Sequence, residues 1–115
     1  MKADISELLA SVLEGASEIQ KGFDSYQREF FRDKPAEFFS LELCGEAGEL
    51  ANLEKKIWNG REIDSSKLED EAADVFIALM NYCNARGINI GESVARKLAV
   101  IEKKRYEMEI EGKDY

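Results

Sequence analysis

Helix-breaking residues are scarce in this chain, and their few positions constrain its fold more than any other feature. Pro35 is the one proline in 115 residues, and the abundant Glu, Lys, Leu and Ala all favour helix. The residue before a proline disfavours helical dihedral angles, so a break is expected over Arg32–Pro35. The remaining sequence predicts an all-α protein, a four-helix-bundle-like single domain over residues 1–115.

The first predicted helix contains an interruption. It runs from Ile5 to about Lys21, where its apolar residues recur at helical spacing. Gly22 is expected to interrupt it. A short second piece, capped by Asp24 or Ser25, would then continue to Phe31.

Three long helices are predicted after Pro35. They run from Ala36 to Trp58, from Ser65 or Ser66 to Arg86, and from about Glu92 to Glu109. Gly60 and Gly87 follow the first two, at the position where a left-handed residue commonly ends a helix. Ser66 and Glu69 fit the capping-box pattern at the start of the second.

The chain contains no histidine, which excludes several kinds of catalytic site at once. A Ser-His-Asp triad, a Cys-His pair, an HExxH zinc site and a Glu-x-x-His di-iron site all require it. With 24 acidic and 16 basic residues the formal net charge is −8, which argues against non-specific binding to nucleic acid. Any catalysis is therefore expected to depend on carboxylates and a hard metal ion.

The cysteines and the N-terminus predict the cellular location. Cys44 and Cys83 lie in apolar helical segments and are expected to be buried, reduced core residues. Residues 1–7 contain no long apolar run that would indicate a signal peptide. No segment approaches the ~20 apolar residues that span a bilayer, so a cytoplasmic protein without a membrane partner is expected.

Acidic and aliphatic side chains share one face of the predicted helix 36–58. At about 100° per residue, Glu46 and Glu49 lie within about 40° of Glu42. Leu50 and Leu53 lie on the same face. Because a solvated acidic face would lie opposite the apolar one, these glutamates are expected to face the interior.

The predicted helix 65–86 repeats this pattern. Glu71 and Asp74 are three residues apart and therefore face the same way, beside Val75. The segment 72–83 is apolar almost all round, which predicts a central, buried helix. Since an uncompensated buried carboxylate is very costly, either Lys and Arg side chains or a divalent cation such as Mg²⁺ are expected beside these acids.

The two acidic motifs, EAGEL at residues 46–50 and EAADV at residues 71–75, resemble those of the MazG-like all-α nucleoside triphosphate pyrophosphohydrolases. The resemblance covers roughly Phe23 to Tyr106 and includes the Lys/Arg-rich last helix. It implies an Mg²⁺-dependent enzyme, with Mn²⁺ as a substitute, that cleaves a (d)NTP between the α- and β-phosphates. It also implies a homodimer or homotetramer with a role in nucleotide-pool housecleaning.

The resemblance implies roles for individual residues. Four residues match the family's Mg²⁺ ligands: Glu46, Glu49, Glu71 and Asp74. Gly45 stands where the family has a further glutamate, so Glu42, one turn earlier, is the candidate for the base. Near the C-terminus, Glu102 stands where many relatives carry an asparagine.

Six further residues are candidates for binding the substrate: Lys56, Trp58, Asn81, Lys97, Lys104 and Arg105. Lys56 lies on the acidic side of its helix, where it would contact either a phosphate or one of the acids. The three basic residues of the last helix are candidates for the leaving pyrophosphate or are surface cations. Asn81 shares a face with Asp74, and Trp58, beside a turn, is the more exposed aromatic candidate for stacking on a base.

Two other functions remain open. An enzyme of the same fold would act on one narrow substrate, such as dUTP, dCTP or phosphoribosyl-ATP. A non-enzymatic, acidic helical dimerisation module would hold its acids in structural ion pairs at the rim of an interface. The acids share the apolar face here, which favours the enzyme.

Overall fold

The computed structural model describes residues 5–115, which form helices joined by loops, with no β-strand among them. In chain order the elements are α1 (Ile5–Ser11), a π-helical segment (Val12–Ala16), α2 (Ser17–Phe30), α3 (Ala36–Trp58), α4 (Ser65–Arg86) and α5 (Ile90–Ile110). The prediction of an all-α chain is confirmed. None of these described helices is long and apolar enough to cross a membrane.

The interruption predicted at Gly22 is wrong. α1, the π-helical segment and α2 follow one another without a break from Ile5 to Phe30. A single glycine inside a helix costs only about 1 kcal/mol relative to alanine. The turns that follow are supported by an ion pair, in which Arg28 Nε donates to Asp24 Oδ1 at 2.9 Å. Asp24 therefore pairs along α2 and does not begin a second helix.

The ends of α3 and α4 lie where the sequence predicts them. Pro35, with extended backbone, precedes α3. Gly60 follows α3 with a φ of 87°, and Gly87 follows α4 with a φ of 68°. Both glycines thus adopt the left-handed conformation that commonly ends a helix.

The cap of α4 and the first residue of α5 differ from the prediction. Asp64 Oδ1 accepts a hydrogen bond from the backbone N–H of Ser66 at 3.0 Å, so the cap of α4 is Asp64 and neither serine. A carboxylate is a stronger acceptor than a hydroxyl at this position. α5 begins at Ile90 because Asn89 Oδ1 accepts from the backbone N–H of Glu92 at 3.1 Å.

The described chain divides into two compact units. The first contains residues 5–21 and 88–115, and the second contains residues 22–87. In the second unit, α3 and α4 are joined by the short loop 59–64 and pack side by side as an antiparallel helical hairpin.

The buried apolar residues of the described chain all belong to the second unit. They are Ala36, Phe39, Ala78, Met80 and Cys83. These residues come from the beginning of α3 and the second half of α4, so they lie toward the end of the hairpin that is remote from the loop 59–64. The half nearer the loop is left to more polar residues.

Two predictions of burial are wrong for the single chain. Cys44 is exposed, whereas Cys83 is buried as predicted. Phe76 and Ile77, in the apolar segment of α4, are 46% and 40% exposed. A helix that is apolar all round has more apolar surface than one packed neighbour covers, so part of it stays exposed.

A buried glutamine joins the two chain segments of the first unit. Gln20 is 8% exposed. Its Nε2 donates to the carbonyl of Ile88 at 2.6 Å, and its Oε1 accepts from the backbone N–H of Ile90 at 2.9 Å. Both ends of the buried amide are thereby satisfied, and the beginning of α5 is held beside α2.

Gly91 should not tolerate a side chain. A Cβ there would lie 2.9 Å from Val12 O and 3.0 Å from Ser17 Oγ. Gly91→Ala is expected to lower the free energy of unfolding by about 1–3 kcal/mol because one of these neighbours must shift. Gly22→Ala is the matched control, since its Cβ meets nothing within 4 Å, and it should raise stability by about 0.5–1 kcal/mol. Urea denaturation measures both changes, and a Gly91→Ala variant as stable as wild type would contradict the close approach.

Candidate metal centre

Three glutamates meet between α3 and α4. Glu46 and Glu49, three residues apart on α3, and Glu71 of α4 each offer one carboxylate oxygen, and the three oxygens all lie within 4.8 Å of one another. Glu46 and Glu71 are half-buried, whereas Glu49 is exposed. The structure therefore brings together three of the four predicted ligands, which we call the glutamate cluster.

The position of the glutamate cluster follows from the spacing of the glutamates along α3 and from the turn that brings α4 beside it. A spacing of three residues places Glu46 and Glu49 on one side of α3, beside the half-buried Leu50 and Leu53. The antiparallel hairpin then brings the early turns of α4, which carry Glu71, beside this part of α3. Glu46 and Glu71 are half-buried, as expected for acids that share a face with aliphatic residues, whereas Glu49 and Asp74 are exposed.

The environment of Glu71 disfavours its negative charge. Its Oε2 is buried and has no hydrogen-bond partner among residues 5–115. Hydrogen bonding to Glu46 raises the pKa of Glu71 to about 7, with burial and Glu49 acting in the same direction. Two carboxyl groups can share a hydrogen bond only when one carries a proton, so ionised Glu71 is left with a buried, unpartnered oxygen. A bound cation would remove both the repulsion and the unpartnered oxygen.

The glutamate cluster borders a cavity of about 270 Å³. The residues that line it are Glu49, Leu53, Lys67, Asp70 and Glu71. Lys67 and Asp70 were not singled out in the sequence. Their signal was positional: Lys67 precedes Glu71 by one helical turn, and Asp70 is its neighbour in the chain.

The other predicted acids lie apart from the cluster. Asp74 is exposed and is not among the residues whose oxygens meet there, so its role as a ligand rests on the resemblance. Glu42 is half-buried and lines a second cavity of about 470 Å³, together with Asn81 and several aromatic side chains. Within this cavity wall, Phe38 and Phe39 pack edge to face with ring centroids 5.4 Å apart.

The basic and aromatic residues that the sequence predicts to bind the substrate lie in both units. Trp58 is 89% exposed, as expected, and Lys56 is half-buried outside the lining of the 270 Å³ cavity. Lys97, Lys104 and Arg105 lie on α5, in the first unit. Arg105 is already paired, with Glu102 at 2.5 Å and Glu109 at 3.0 Å.

Comparison of this chain with protein-family models, with curated proteins and with solved structures found no match. The resemblance to the MazG-like family therefore rests on the motif residues themselves.

The donor set of the cluster fits a hard divalent cation. Mg²⁺ takes oxygen ligands at about 2.0–2.1 Å and Ca²⁺ at about 2.3–2.6 Å, so ligands on opposite sides of one ion are about 4–5 Å apart. The carboxylate oxygens within 4.8 Å of one another meet that condition with little movement. Hard carboxylate oxygens suit Mg²⁺, Mn²⁺ and Ca²⁺ better than they suit soft metals.

Without divalent cations, ionisation of Glu71 should destabilise the fold. Its pKa is about 7, against an ordinary value of 4.5, so between these values the folded chain keeps a proton that the unfolded chain has lost. The free energy of unfolding should therefore fall as the pH rises from about 4.5 to about 7. Glu71→Gln, which cannot ionise, should flatten this part of the curve and be more stable than wild type above pH 7.

Thermal melts in a metal chelator across this pH range test the prediction. Glu54→Gln, at an exposed position of α3, is the matched control and should follow the wild-type curve. Parallel curves for wild type and Glu71→Gln would show that Glu71 titrates normally.

Mg²⁺ should stabilise the wild-type protein through the glutamate cluster. A ligand at about 100 times its Kd adds about 2.7 kcal/mol to the free energy of unfolding when it binds only the folded state. Glu49→Gln removes one charged ligand and should abolish most of this gain, whereas Glu54→Gln should retain it. Melts with MgCl₂ or NaCl at matched ionic strength make the comparison, and an equal gain in the Glu49→Gln variant would exclude the cluster as the Mg²⁺ site.

Proposed function

We propose that this protein is an Mg²⁺-dependent nucleoside triphosphate pyrophosphohydrolase of the MazG-like all-α type. It would cleave a (d)NTP between the α- and β-phosphates to a (d)NMP and pyrophosphate, as a nucleotide-pool housecleaning enzyme. The observation that carries the proposal is the buried, unpartnered oxygen of Glu71 beside two further glutamates. These three residues belong to the motifs that resemble the family.

The carboxylates of Glu46, Glu49 and Glu71 hold the metal in this proposal, and Asp74 is the fourth ligand by resemblance. When bound, Mg²⁺ supplies charge neutralisation for the triphosphate and a bound water of lowered pKa. Glu49 and Glu71 both line the cavity that would take the phosphates, and Glu46 offers a further oxygen beside them. Addition of one water across the α–β anhydride yields the two products.

The base would be recognised separately from the phosphates. The wall of the 470 Å³ cavity contains five aromatic residues and five polar side chains, Glu42 and Asn81 among them. Glu42 lines this cavity and does not join the glutamate cluster, so a contact with the substrate suits it better than a role as general base. The aromatic rings offer flat faces for stacking.

Self-association is supported by the apolar surface of the second unit. Phe30 is 65% exposed, Leu41 is 74% exposed and Phe76 is 46% exposed. Contiguous exposed apolar side chains commonly mark protein–protein contacts, and Phe30 lies against Tyr26, whose exposed ring also contacts Phe31. We therefore include a homodimer or homotetramer in the proposal.

A non-enzymatic dimerisation module accounts less well for the glutamate cluster. Structural ion pairs would satisfy each carboxylate, but Glu71 Oε2 has no partner among residues 5–115. A module whose only task is association would not need two glutamates, Glu46 and Glu49, that raise the pKa of a third, Glu71. The cluster is better explained by a ligand that carries positive charge.

A substrate panel tests the proposed reaction. Each dNTP and NTP is incubated with Mg²⁺, and the release of pyrophosphate and of orthophosphate is measured separately. Pyrophosphate with equimolar monophosphate is expected, whereas release of orthophosphate alone would contradict cleavage between the α- and β-phosphates. Activity towards a single nucleotide would identify the narrow-substrate enzyme, and no hydrolysis by a stable oligomer would favour the dimerisation module.

Variants of the proposed ligands localise the reaction. Glu49→Gln and Asp74→Asn should lower kcat/KM by about 10²–10³, the range found when one group that stabilises transition-state charge is removed. Their thermal stability without metal should equal or exceed that of wild type, because each removes a negative charge from a crowded acidic region. Glu54→Gln is again the control, and full activity in both ligand variants would overturn the assignment.

A further inference from the structure

Glu42 places a carboxylate in the largely aromatic wall of the 470 Å³ cavity. It follows Phe38 by four residues and Phe39 by three, so the three side chains share one face of α3. Glu42 is half-buried, yet among residues 5–115 its carboxylate forms no hydrogen bond or ion pair. A partly buried polar group without a partner is unfavourable, so the fold itself gains nothing from this acid.

Two basic residues border the same cavity and leave Glu42 unpaired. Arg32 and Lys34 both belong to its wall, but in the part of the chain that the structure describes neither forms a salt bridge with Glu42. The ammonium nitrogen of Lys34 lies 4.9 Å from the centroid of the Phe38 ring, in a cation–π contact. The two carboxylate oxygens of Glu42 are therefore open to hydrogen bonds from a ligand.

Asn81 adds a side-chain amide to this cavity from the neighbouring helix. It follows Ile77, another residue of the wall, by one turn of α4, and it is half-buried. Like Glu42, its side chain has no hydrogen-bond partner within the described residues 5–115. An amide offers N–H donors as well as an acceptor. The cavity thus receives two acceptors from α3 and a donor from α4.

The rest of the wall suits a flat, aromatic ligand. Tyr26 and Phe31 are exposed, with ring centroids 5.3 Å apart, whereas Phe39 is buried. Exposed rings offer faces on which a base can stack. The cavity volume of about 470 Å³ lies within the range of about 300–1,000 Å³ that is typical of small-molecule sites, so the space suffices for a purine as well as a pyrimidine.

The two oxygens of Glu42 discriminate between the bases. A carboxylate accepts hydrogen bonds and donates none. Guanine presents two adjacent donors, N1–H and the N2 amino group, and can bind both oxygens at once, as an arginine does. Adenine and cytosine carry an acceptor ring nitrogen beside their amino group, and uracil and thymine carry a carbonyl on each side of N3–H. Each of these bases would place an acceptor against the second carboxylate oxygen.

We propose that the 470 Å³ cavity recognises guanine, with Glu42 accepting hydrogen bonds from N1–H and the N2 amino group and Asn81 donating to O6. The inference rests on the proposed function, because it identifies the substrate of that reaction as a guanine nucleoside triphosphate. O6 of guanine is an acceptor and stands next to N1 on the ring. An amide donor from α4 beside a carboxylate from α3 therefore matches the order of groups along this edge of the base.

Binding of two nucleotides that differ by one amino group tests the assignment apart from catalysis. The ligands are the α,β-methylene triphosphates of guanosine and inosine, which resist cleavage between the α- and β-phosphates. Inosine lacks only the N2 amino group. In isothermal titration calorimetry with Mg²⁺, wild type should bind the guanosine ligand about ten- to a hundredfold more tightly, the loss expected for one hydrogen bond to a charged group. The adenosine, cytidine and uridine ligands should bind no more tightly than the inosine ligand.

Variants of the two polar residues separate base recognition from a structural role. Glu42→Gln presents one acceptor and one donor, which match the amino group and ring nitrogen of adenine. It should therefore bring the guanosine and inosine affinities to within about threefold of each other and raise the relative affinity for adenosine. Asn81→Ala should weaken the guanosine and inosine ligands equally, by about three- to tenfold, because both carry O6. Glu54→Gln, at an exposed position of α3, is the control and should keep the wild-type preferences.

The outcomes distinguish this inference from the proposed function. Equal affinity of wild type for the guanosine and inosine ligands overturns the role of Glu42, even where the protein hydrolyses nucleotides. This comparison is made on the wild-type chain and does not depend on how well a variant folds. A wild-type preference for another base, or an unchanged preference in Glu42→Gln, overturns the inference as well. A protein that selects guanine through Glu42 but hydrolyses no nucleotide supports the base site and overturns the enzyme.

Discussion

Repulsion among three carboxylates at the contact between α3 and α4 is the constraint on which the interpretation of this structure depends. Helix packing brings Glu46, Glu49 and Glu71 together, although like charges in a partly buried place disfavour that arrangement. The raised pKa of Glu71 and its unpartnered Oε2 are two consequences of the same crowding. A group of positive charge would turn this unfavourable contact into a favourable one.

The hairpin tolerates the cluster because its two halves differ. The apolar residues that pack most closely, among them Phe39, Met80 and Cys83, lie toward the end remote from the loop 59–64. The acidic residues lie nearer the loop, where Asp64 caps α4. Packing at one end thus holds the helices side by side, and the other end is left for a charged site. This division is common where stability and function compete for the same residues.

The second unit has two different cavities, one for each chemically distinct part that a nucleotide ligand would present. The glutamate cluster and Lys67 border a small charged cavity, whereas Glu42 and Asn81 line a larger aromatic one. A phosphate chain and a base differ in this same way, since one is charged and flexible and the other is flat and amphipathic. The exposed Phe76 and Ile77 of α4 add apolar surface to the same unit.

The sequence by itself determined the helical class, most helix boundaries and the shared face of the acids, because these depend on local preferences and on a period of 3.6 residues. It did not determine that α2 continues through Gly22, since the cost of one glycine within a helix, about 1 kcal/mol, is too small to end a helix that is favoured on both sides of it. Only the tertiary structure decided which acids meet: the register of α3 against α4 joins Glu71 to Glu46 and Glu49 and leaves Asp74 exposed. It also decided that Lys67 borders the cavity beside the glutamate cluster. The placement of a flexible side chain depends on the neighbouring helix as well as on its own.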